Sequence, residues 1–535
     1  MDIHPADTAI ILLATGAGVL AAITAKGNPV IPEKPGPFWR PLIFLATITA
    51  AFAITALWLV TPHDPWNAAR LTPMVALNGG TALYQPLDQG PVLSTVVGPV
   101  AFLFYWPVCT LLPSTPTPLI LTASGLNLLS FAVLMLGLLA HFGASRREKV
   151  LVALVLVHLA LYFASLRYSL FSIHADAPAL ILGAAGCGIL ILSDGPIGWA
   201  RATTAATMLA GAVWAKQTSA PLYVAALVLA LNRGGIGGLL LMVAACLGCG
   251  ALVSALLILL CGFEELWTNM LMVPLRHPWM QMSLTTGEIY KTVQALGTAA
   301  KIKVVIAECL HLVRANWPLF ASLLAAFALG LRGAPLRTLL RAKWVGFSLT
   351  ALLLFPTAAL GRTKVGGEIN HESFVILFLI VAVVSWLLEA EFIKGARSIV
   401  IACVLAPLAL CNAPRLVEYP GWHSAHENQN EAAYRYEKKY PGKIYFPWNP
   451  LTSVLNHGKV YHFDYGVFDR DIGGAEVSRR HILQGLPSHQ PPIASYLAHH
   501  DYILRKHFPN YVLLKPDPDL PKWRIYGPPP DETDR

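Results

Sequence analysis

The sequence predicts an all-α polytopic membrane domain of about 12 spans, followed by a small α/β domain. Three observations carry that prediction. The chain of 535 residues is 55% hydrophobic and 13% charged, with a mean hydropathy of +0.55. Soluble domains carry about 25% charged residues, so most of this surface faces lipid rather than water. Apolar runs of span length recur as far as residue 412 and then stop. The net charge of +9 is also uneven. From Arg415 onward 15 Lys and Arg stand against 14 Asp and Glu, whereas the excess falls between the apolar runs. A nucleic-acid binder would gather its basic residues on one soluble face, so the positive-inside rule is the better account and no nucleic-acid partner is expected.

The runs lie near residues 8–25, 41–60, 91–112, 118–141, 150–170, 177–193, 202–215, 218–231, 235–262, 317–331, 344–360, 374–391 and 397–412. The first has no basic leader and reads as a span rather than a signal segment. Basic clusters at Lys26, Lys34 and Arg40, at Arg146, Arg147 and Lys149, at Arg332, Arg337, Arg341 and Lys343, and at Lys394 and Arg397 mark the cytoplasmic side. Three runs separate the first two clusters, yet two cytoplasmic loops need an even number of crossings. The run at 91–112 is the one to remove. Pro91, Pro99 and Pro107 interrupt it, and a proline inside a helix deletes a hydrogen bond. It is expected to be a broken helix at the outer surface or dipping into the membrane.

The resulting division is a membrane domain over 1–412, with outer loops at 61–117, 263–316 and 361–373, and an extracytoplasmic domain over 413–535. In the latter, 430–440 reads as a helix ending at Pro441-Gly442, 443–448 and 511–514 as strands, and 493–507 as a helix. The eight cysteines all precede residue 412, so no disulfide framework holds the tail. Cys246 and Cys249 form a C-x-x-C inside an apolar run, where two small span residues are a better reading than a metal or redox site.

Ionisable residues at the ends of spans are where chemistry is expected. Asp64 follows a span, in Thr61-Pro-His63-Asp64-Pro-Trp66. Partial desolvation there would raise its basicity, although an Asp before Pro-Trp-Asn is also a good helix cap. His174 and Asp176 sit between two runs, before Pro178, and two residues are too few to infer a metal. Lys216 interrupts a long apolar stretch on the outer side; it either snorkels or meets an anion. The loop from Gly361 to His371 carries Arg362, Lys364, Gly366, Gly367 and Asn370. Parity puts these basic residues outside, against the charge rule, and beside glycines whose N–H groups can approach a phosphate. The Asp469-Arg-Asp471 triplet reads as a solvated turn. The tail histidines, His499 and His500 among them, lack zinc-like spacing.

In order, these residues resemble the GT-C membrane glycosyltransferases, whose members include protein O-mannosyltransferases and lipid A aminoarabinose transferases. The pattern is an acid after an early span (Asp64), a Gly-x-x-x-Tyr stretch in the first outer loop (Gly80 and Tyr84), an Asp before a small-residue–Pro helix start (Asp176-Ala177-Pro178), and a Lys in a paired apolar segment (Lys216). The Lys364–Asn370 loop is similar to that of bacterial members with an α/β tail. The likeness covers about residues 40–412. An additional early span, and His63 and Pro65 in place of a second acid beside Asp64, depart from it and leave acceptor and metal open.

The resemblance implies an inverting transfer of a sugar from a polyprenyl-phosphate donor, outside the cytoplasmic membrane of a bacterium. The acceptor would be a glycan, lipid or protein. Asp64 would be the base, with Asp176 and His174 orienting it or the acceptor. Lys364, Arg362, Lys216, Gly366 and Gly367 would hold the donor phosphate. His63, Asn370 and Tyr84 would sit on the acceptor side. No organic cofactor is expected, and a divalent cation stays open. The alternatives are a transporter or lipid flippase, which the long outer loops and the lack of an inverted repeat disfavour, and a non-catalytic envelope assembly protein, in which Asp64 could be replaced without effect.

Overall fold

The structure is a computed structural model that describes residues 39–93, 96–111, 115–279, 297–333, 335–390, 397–412, 427–496 and 501–529. The first apolar run lies outside these residues, as do His499 and His500. Among the described residues, five helices are long and apolar enough to cross a membrane: Arg40–His63, Pro116–Ala140, Gln217–Cys261, Lys343–Arg362 and Ile369–Glu389. Two bent pairs raise the number to as many as seven: Arg146–Tyr162 with Ala164–Phe171 (93°) and Thr298–Ala315 with Trp317–Arg332 (78°). Asp176–Ile191 and Arg397–Asn412 are shorter apolar helices.

Local sequence explains these elements. Ser145 and Glu148 form a reciprocal capping box at the start of the Arg146–Tyr162 helix. Pro116 opens the Pro116–Ala140 helix, where a missing N–H costs nothing. The runs expected at 218–231 and 235–262 are joined in the Pro221–Cys261 helix, which breaks at Gly235 with φ +61°. The proline-interrupted run at 91–112 yields two short helices, Pro99–Leu103 and Trp106–Leu111.

The Ser373–Glu389 helix lies at the centre of the bundle, buried throughout its first half. A helix apolar all round belongs inside. By contrast, Leu240, Leu247, Leu252, Leu256 and Leu259 of the Pro221–Cys261 helix are exposed, a contiguous apolar face that only lipid covers comfortably. The chain is thus a membrane protein.

The tail packs onto the segment that follows the Trp39–Val60 helix. Asn430 donates to the carbonyls of Pro62 (2.7 Å) and Asp64 (3.1 Å), and His462 accepts from Val92 N–H at 3.0 Å. Trp448, Phe463 and Tyr465 surround Trp66, with ring centroids 4.6–5.6 Å away. The tail sheet has three antiparallel strands with Trp523–Gly527 in the middle, flanked by Ile493–Tyr496 and Val512–Leu513.

Two tail expectations need correction. The stretch 493–507 is not one helix: Ile493–Tyr496 is a strand paired with Trp523–Gly527, and among the described residues of the stretch only Tyr502–His507 is helical. Its apolar residues are equally suited to a buried strand, and the partner strand decides. The stretch 443–448 is not a strand either, since only Tyr445 makes a bridge, to Ile493. The expected helix is found at Gln429–Lys439.

Candidate functional site

Asp64 ends the first described span and starts the Pro65–Asn78 helix. Its carboxylate accepts from Trp66 N–H at 3.0 Å, so it is a helix cap. Capping does not use it up, because a carboxylate has about four lone-pair sites. Burial raises its pKa above the ordinary 3.8, and the nearby charge of Arg70 partly offsets this.

Arg70 stands at i+6 from Asp64, on the same helix. Its guanidinium lies over the Trp66 ring (4.9 Å) and donates to Tyr168 Oη (3.0 Å) and the Ile173 carbonyl (3.2 Å). It thereby ties the Pro65–Asn78 helix to the turn carrying His174 and Asp176. Asn67 reinforces the tie by accepting from Ile173 N–H at 2.8 Å.

Asp176, the first residue of the Asp176–Ile191 helix, is fully buried. Its carboxylate is paired with the Lys216 ammonium, abuts the His174 ring and accepts from Asn370 Nδ2 at 2.7 Å. Four residues flagged in the sequence, on three separate segments, therefore meet at one point. Burial, with the charge of Arg70, lowers the His174 pKa to about 4, so the imidazole is neutral at neutral pH. Lys216 is positioned by a break: it caps the Trp199–Ala215 helix in an extended conformation before the short Gln217–Ser219 turn.

Lys364 belongs to a neighbouring cluster. Its ammonium donates to the carbonyls of Leu275 (3.2 Å) and His277 (2.9 Å) and lies 4.7 Å from the Trp279 ring centroid. The Lys301 ammonium lies 5.4 Å from the same ring. Burial lowers the Lys364 pKa, and the charge of Lys301 lowers it further. Neither lysine has a carboxylate within 4.0 Å among the described residues. Gly366 adopts φ +80° and is exposed. At Gly367 a Cβ would run into the carbonyls of Gly361 and Lys364, so the loop's path requires glycine there.

Other candidates are placed elsewhere. Arg362 lies against Glu308 (3.7 Å) and Glu372 (3.5 Å), a polar cluster between helices. Tyr84 is buried in the apolar core of the first loop and donates to the Val97 carbonyl at 2.6 Å. The His63 carbonyl accepts from Gln429 of the tail at 3.3 Å.

Sequence reasoning missed Arg70, Lys301 and Asp469. Asp469 is not in a solvated turn. It is buried on the Asp464–Ile472 helix, 3.8 Å from His277 Nε2. Asp471 behaves differently, accepting from Lys506 (2.8 Å) and Val477 N–H (2.6 Å). Positions two apart on a helix face different ways, so the triplet does not act as a unit. Among the described residues, no group of three or more His, Cys, Asp or Glu is placed to hold a metal ion.

No protein-family model matches the chain, and no curated protein matches it. Its fold is similar to the crystal structure of ArnT from Cupriavidus metallidurans bound to undecaprenyl phosphate. The TM-score is 0.53 over 90% of this chain and 97% of that chain, at 9% sequence identity. The expected GT-C architecture is therefore the fold of this chain. An identity that low speaks for the fold and not for residue-by-residue equivalence.

Proposed function

We propose that the chain is an integral membrane glycosyltransferase that moves a sugar from a polyprenyl phosphate to an acceptor hydroxyl on the extracytoplasmic side. The observation that carries this reading is the convergence of Asp176, Lys216, His174 and Asn370, linked through Arg70 to Asp64, in a chain with the ArnT fold. ArnT was solved with undecaprenyl phosphate, and a lipid of that class is the donor carrier proposed here.

In this scheme the acceptor oxygen attacks the anomeric carbon as its bond to the phosphate oxygen breaks. Asp64 takes the acceptor's proton. The polyprenyl phosphate leaves as an anion and needs positive partners rather than an acid. An attack opposite the leaving group inverts the anomeric centre. Burial makes Asp64 a stronger base than an exposed carboxylate.

Lys364 and Lys301 are the phosphate-side residues of this proposal. Two ammonium groups converging on one indole repel each other, and an anion between them relieves that repulsion. Gly366 is exposed and carries no side chain, which leaves the surface beside Lys364 open, while the Val365 and Gly367 N–H groups donate to the Pro278 and Lys364 carbonyls and hold the loop's shape. Lys216, beside the Asp176 carboxylate, is assigned to holding the site together, and Arg362, beside Glu308 and Glu372, to packing between helices. Asp176 and His174 hold the wall under Asp64 rather than act as a second base.

The test uses purified protein in nanodiscs and polyprenyl-phosphate sugars extracted from bacterial membranes, with a membrane-glycan fraction as acceptor. Mass spectrometry should detect free polyprenyl phosphate forming only with active protein. Intact donor across every sugar in the extract would exclude the reading.

A further inference from the structure

The Asp464–Ile472 helix of the tail touches the phosphate-side loop at two points, one turn apart. Tyr465 and Asp469 are four residues apart and share a face. At the first point the Tyr465 hydroxyl lies beside Gly366, where an added Cβ would come within 3.2 Å of it. At the second, Asp469 faces His277 Nε2 across 3.8 Å. His277 carries that contact into the loop. Its Nδ1 faces the Val365 carbonyl at 3.3 Å, and its own carbonyl accepts from Lys364 Nζ at 2.9 Å. The Val365 N–H donates to the Pro278 carbonyl at 2.9 Å.

The end of the same helix is seated against the membrane domain. Gly473 packs so closely on Val273 that a Cβ would lie 2.8 Å from Val273 Cγ1 and 3.0 Å from the Val273 carbonyl oxygen. His277 and Asp469 are both buried, and His277 Nε2 has no hydrogen-bond partner in this arrangement. A buried polar pair at such a junction is retained at a cost unless it holds something in place.

We infer that the tail clamps the phosphate-side loop, with Asp469 as a positioning residue that acts through His277 on Lys364 and Gly366. The inference rests on the assignment of Lys364 to the donor phosphate. It adds that anion binding by the membrane domain depends on a carboxyl group more than 100 residues away, in another domain. Asp469 itself does not touch the phosphate.

The sign of one measurement separates this from a bystander role. An acidic group that merely lies near an anion leaves binding unchanged or tighter when it is neutralised. A positioning group weakens it. Binding of undecaprenyl phosphate to the full-length protein in nanodiscs would be measured for the parent, Lys364→Ala, Asp469→Asn, His277→Asn and the Asp469→Asn/His277→Asn double variant. Asp517→Asn serves as a control. It removes a tail carboxylate that accepts from Tyr436 Oη at 2.8 Å and lies outside the Asp464–Ile472 helix.

The clamp predicts that Asp469→Asn and His277→Asn each weaken binding by roughly five- to tenfold, and that the double variant is no worse than either single one. Asp517→Asn should leave binding unchanged. If Lys364→Ala binds weakly while Asp469→Asn binds like the parent or tighter, the clamp is wrong and the phosphate assignment stands. If Lys364→Ala binds like the parent, the phosphate assignment fails and the clamp with it. If Asp469→Asn does not fold, His277→Asn carries the same comparison from the membrane side. Normal binding by that variant overturns the clamp.

Discussion

The carboxylate of Asp176 is paired with the ammonium of Lys216, although 40 residues separate them in the chain and both are buried. Taking two charges out of water is costly, and only their mutual attraction and added hydrogen bonds offset it. Asn370 supplies one such bond. Removing one partner strands the other, which typically costs about 3–5 kcal/mol, whereas removing both costs less. Asp176→Asn and Lys216→Met should each lower thermal stability sharply, and the double variant should recover part of the loss. Melting curves in detergent check this. Additive losses would show that the two residues do not act as a pair.

Asp64→Asn keeps the hydrogen bond from Trp66 N–H and removes the basic charge. Loss of a general base typically costs about 10²–10⁴-fold in rate, roughly 3–5 kcal/mol. The variant should insert, fold and bind undecaprenyl phosphate like the parent while turnover falls by that factor. Near-parent turnover would leave Asp64 as a cap alone.

The pH profile carries an independent prediction. A base must be deprotonated, so the rate falls as pH drops through the Asp64 pKa. Burial raises that pKa above 3.8, while Arg70 pulls it down. The acid limb should therefore lie above the ordinary carboxylate range. Arg70→Gln should move it further up, because a positive charge that favoured the ionised form is gone. A limb that moves down in Arg70→Gln, or does not move, would contradict the assignment of the base.

Lys364→Ala should weaken undecaprenyl phosphate binding and slow turnover, leaving expression intact, whereas Gly367→Val, whose Cβ meets the Gly361 and Lys364 carbonyls, should distort the loop and lower thermal stability as well. Lys364→Arg should keep part of both, since the charge remains but a planar fork replaces a point charge. The rate should suffer as well as affinity, because negative charge grows on the leaving phosphate in the transition state. Parent-like behaviour of Lys364→Ala would make this loop a hairpin and return Lys216 to consideration.

Much of the candidate cluster was legible in the sequence, for a physical reason. Asp64, His174, Asp176, Lys216 and Asn370 are polar residues at the ends of apolar runs, where such groups are expensive, so each stands out. Periodicity could not show that four of them meet, because the Asn370–Asp176 contact spans 194 residues. Arg70 carries no local signal, because only the fold brings Tyr168 beside it. The sequence reads Asp469 as solvated because nothing local reveals that the tail docks on the first loop. Trp66 is one point at which the two meet, and a tryptophan beside a span is equally at home in the lipid headgroup layer.

The side assignments can be tested with single reporter cysteines in a cysteine-free background. Gln89, Lys459 and Ser145 are exposed. Cysteines at Gln89 and Lys459 should label from outside the cell, and one at Ser145 only after the membrane is opened. Labelling of Lys459 from the same side as Ser145 would place the tail in the cytoplasm and separate it from any outward-facing site.

The fate of the donor lipid in living cells tests the transferase assignment most directly. Lipid extracts of cells lacking the protein, and of such cells supplied with either the parent or Asp64→Asn, would be compared by mass spectrometry. A polyprenyl-phosphate-linked sugar should accumulate without the protein, fall to its normal level with the parent, and stay high with Asp64→Asn produced at the same amount. A lipid-linked sugar pool identical in all three would contradict the assignment of this chain as a transferase.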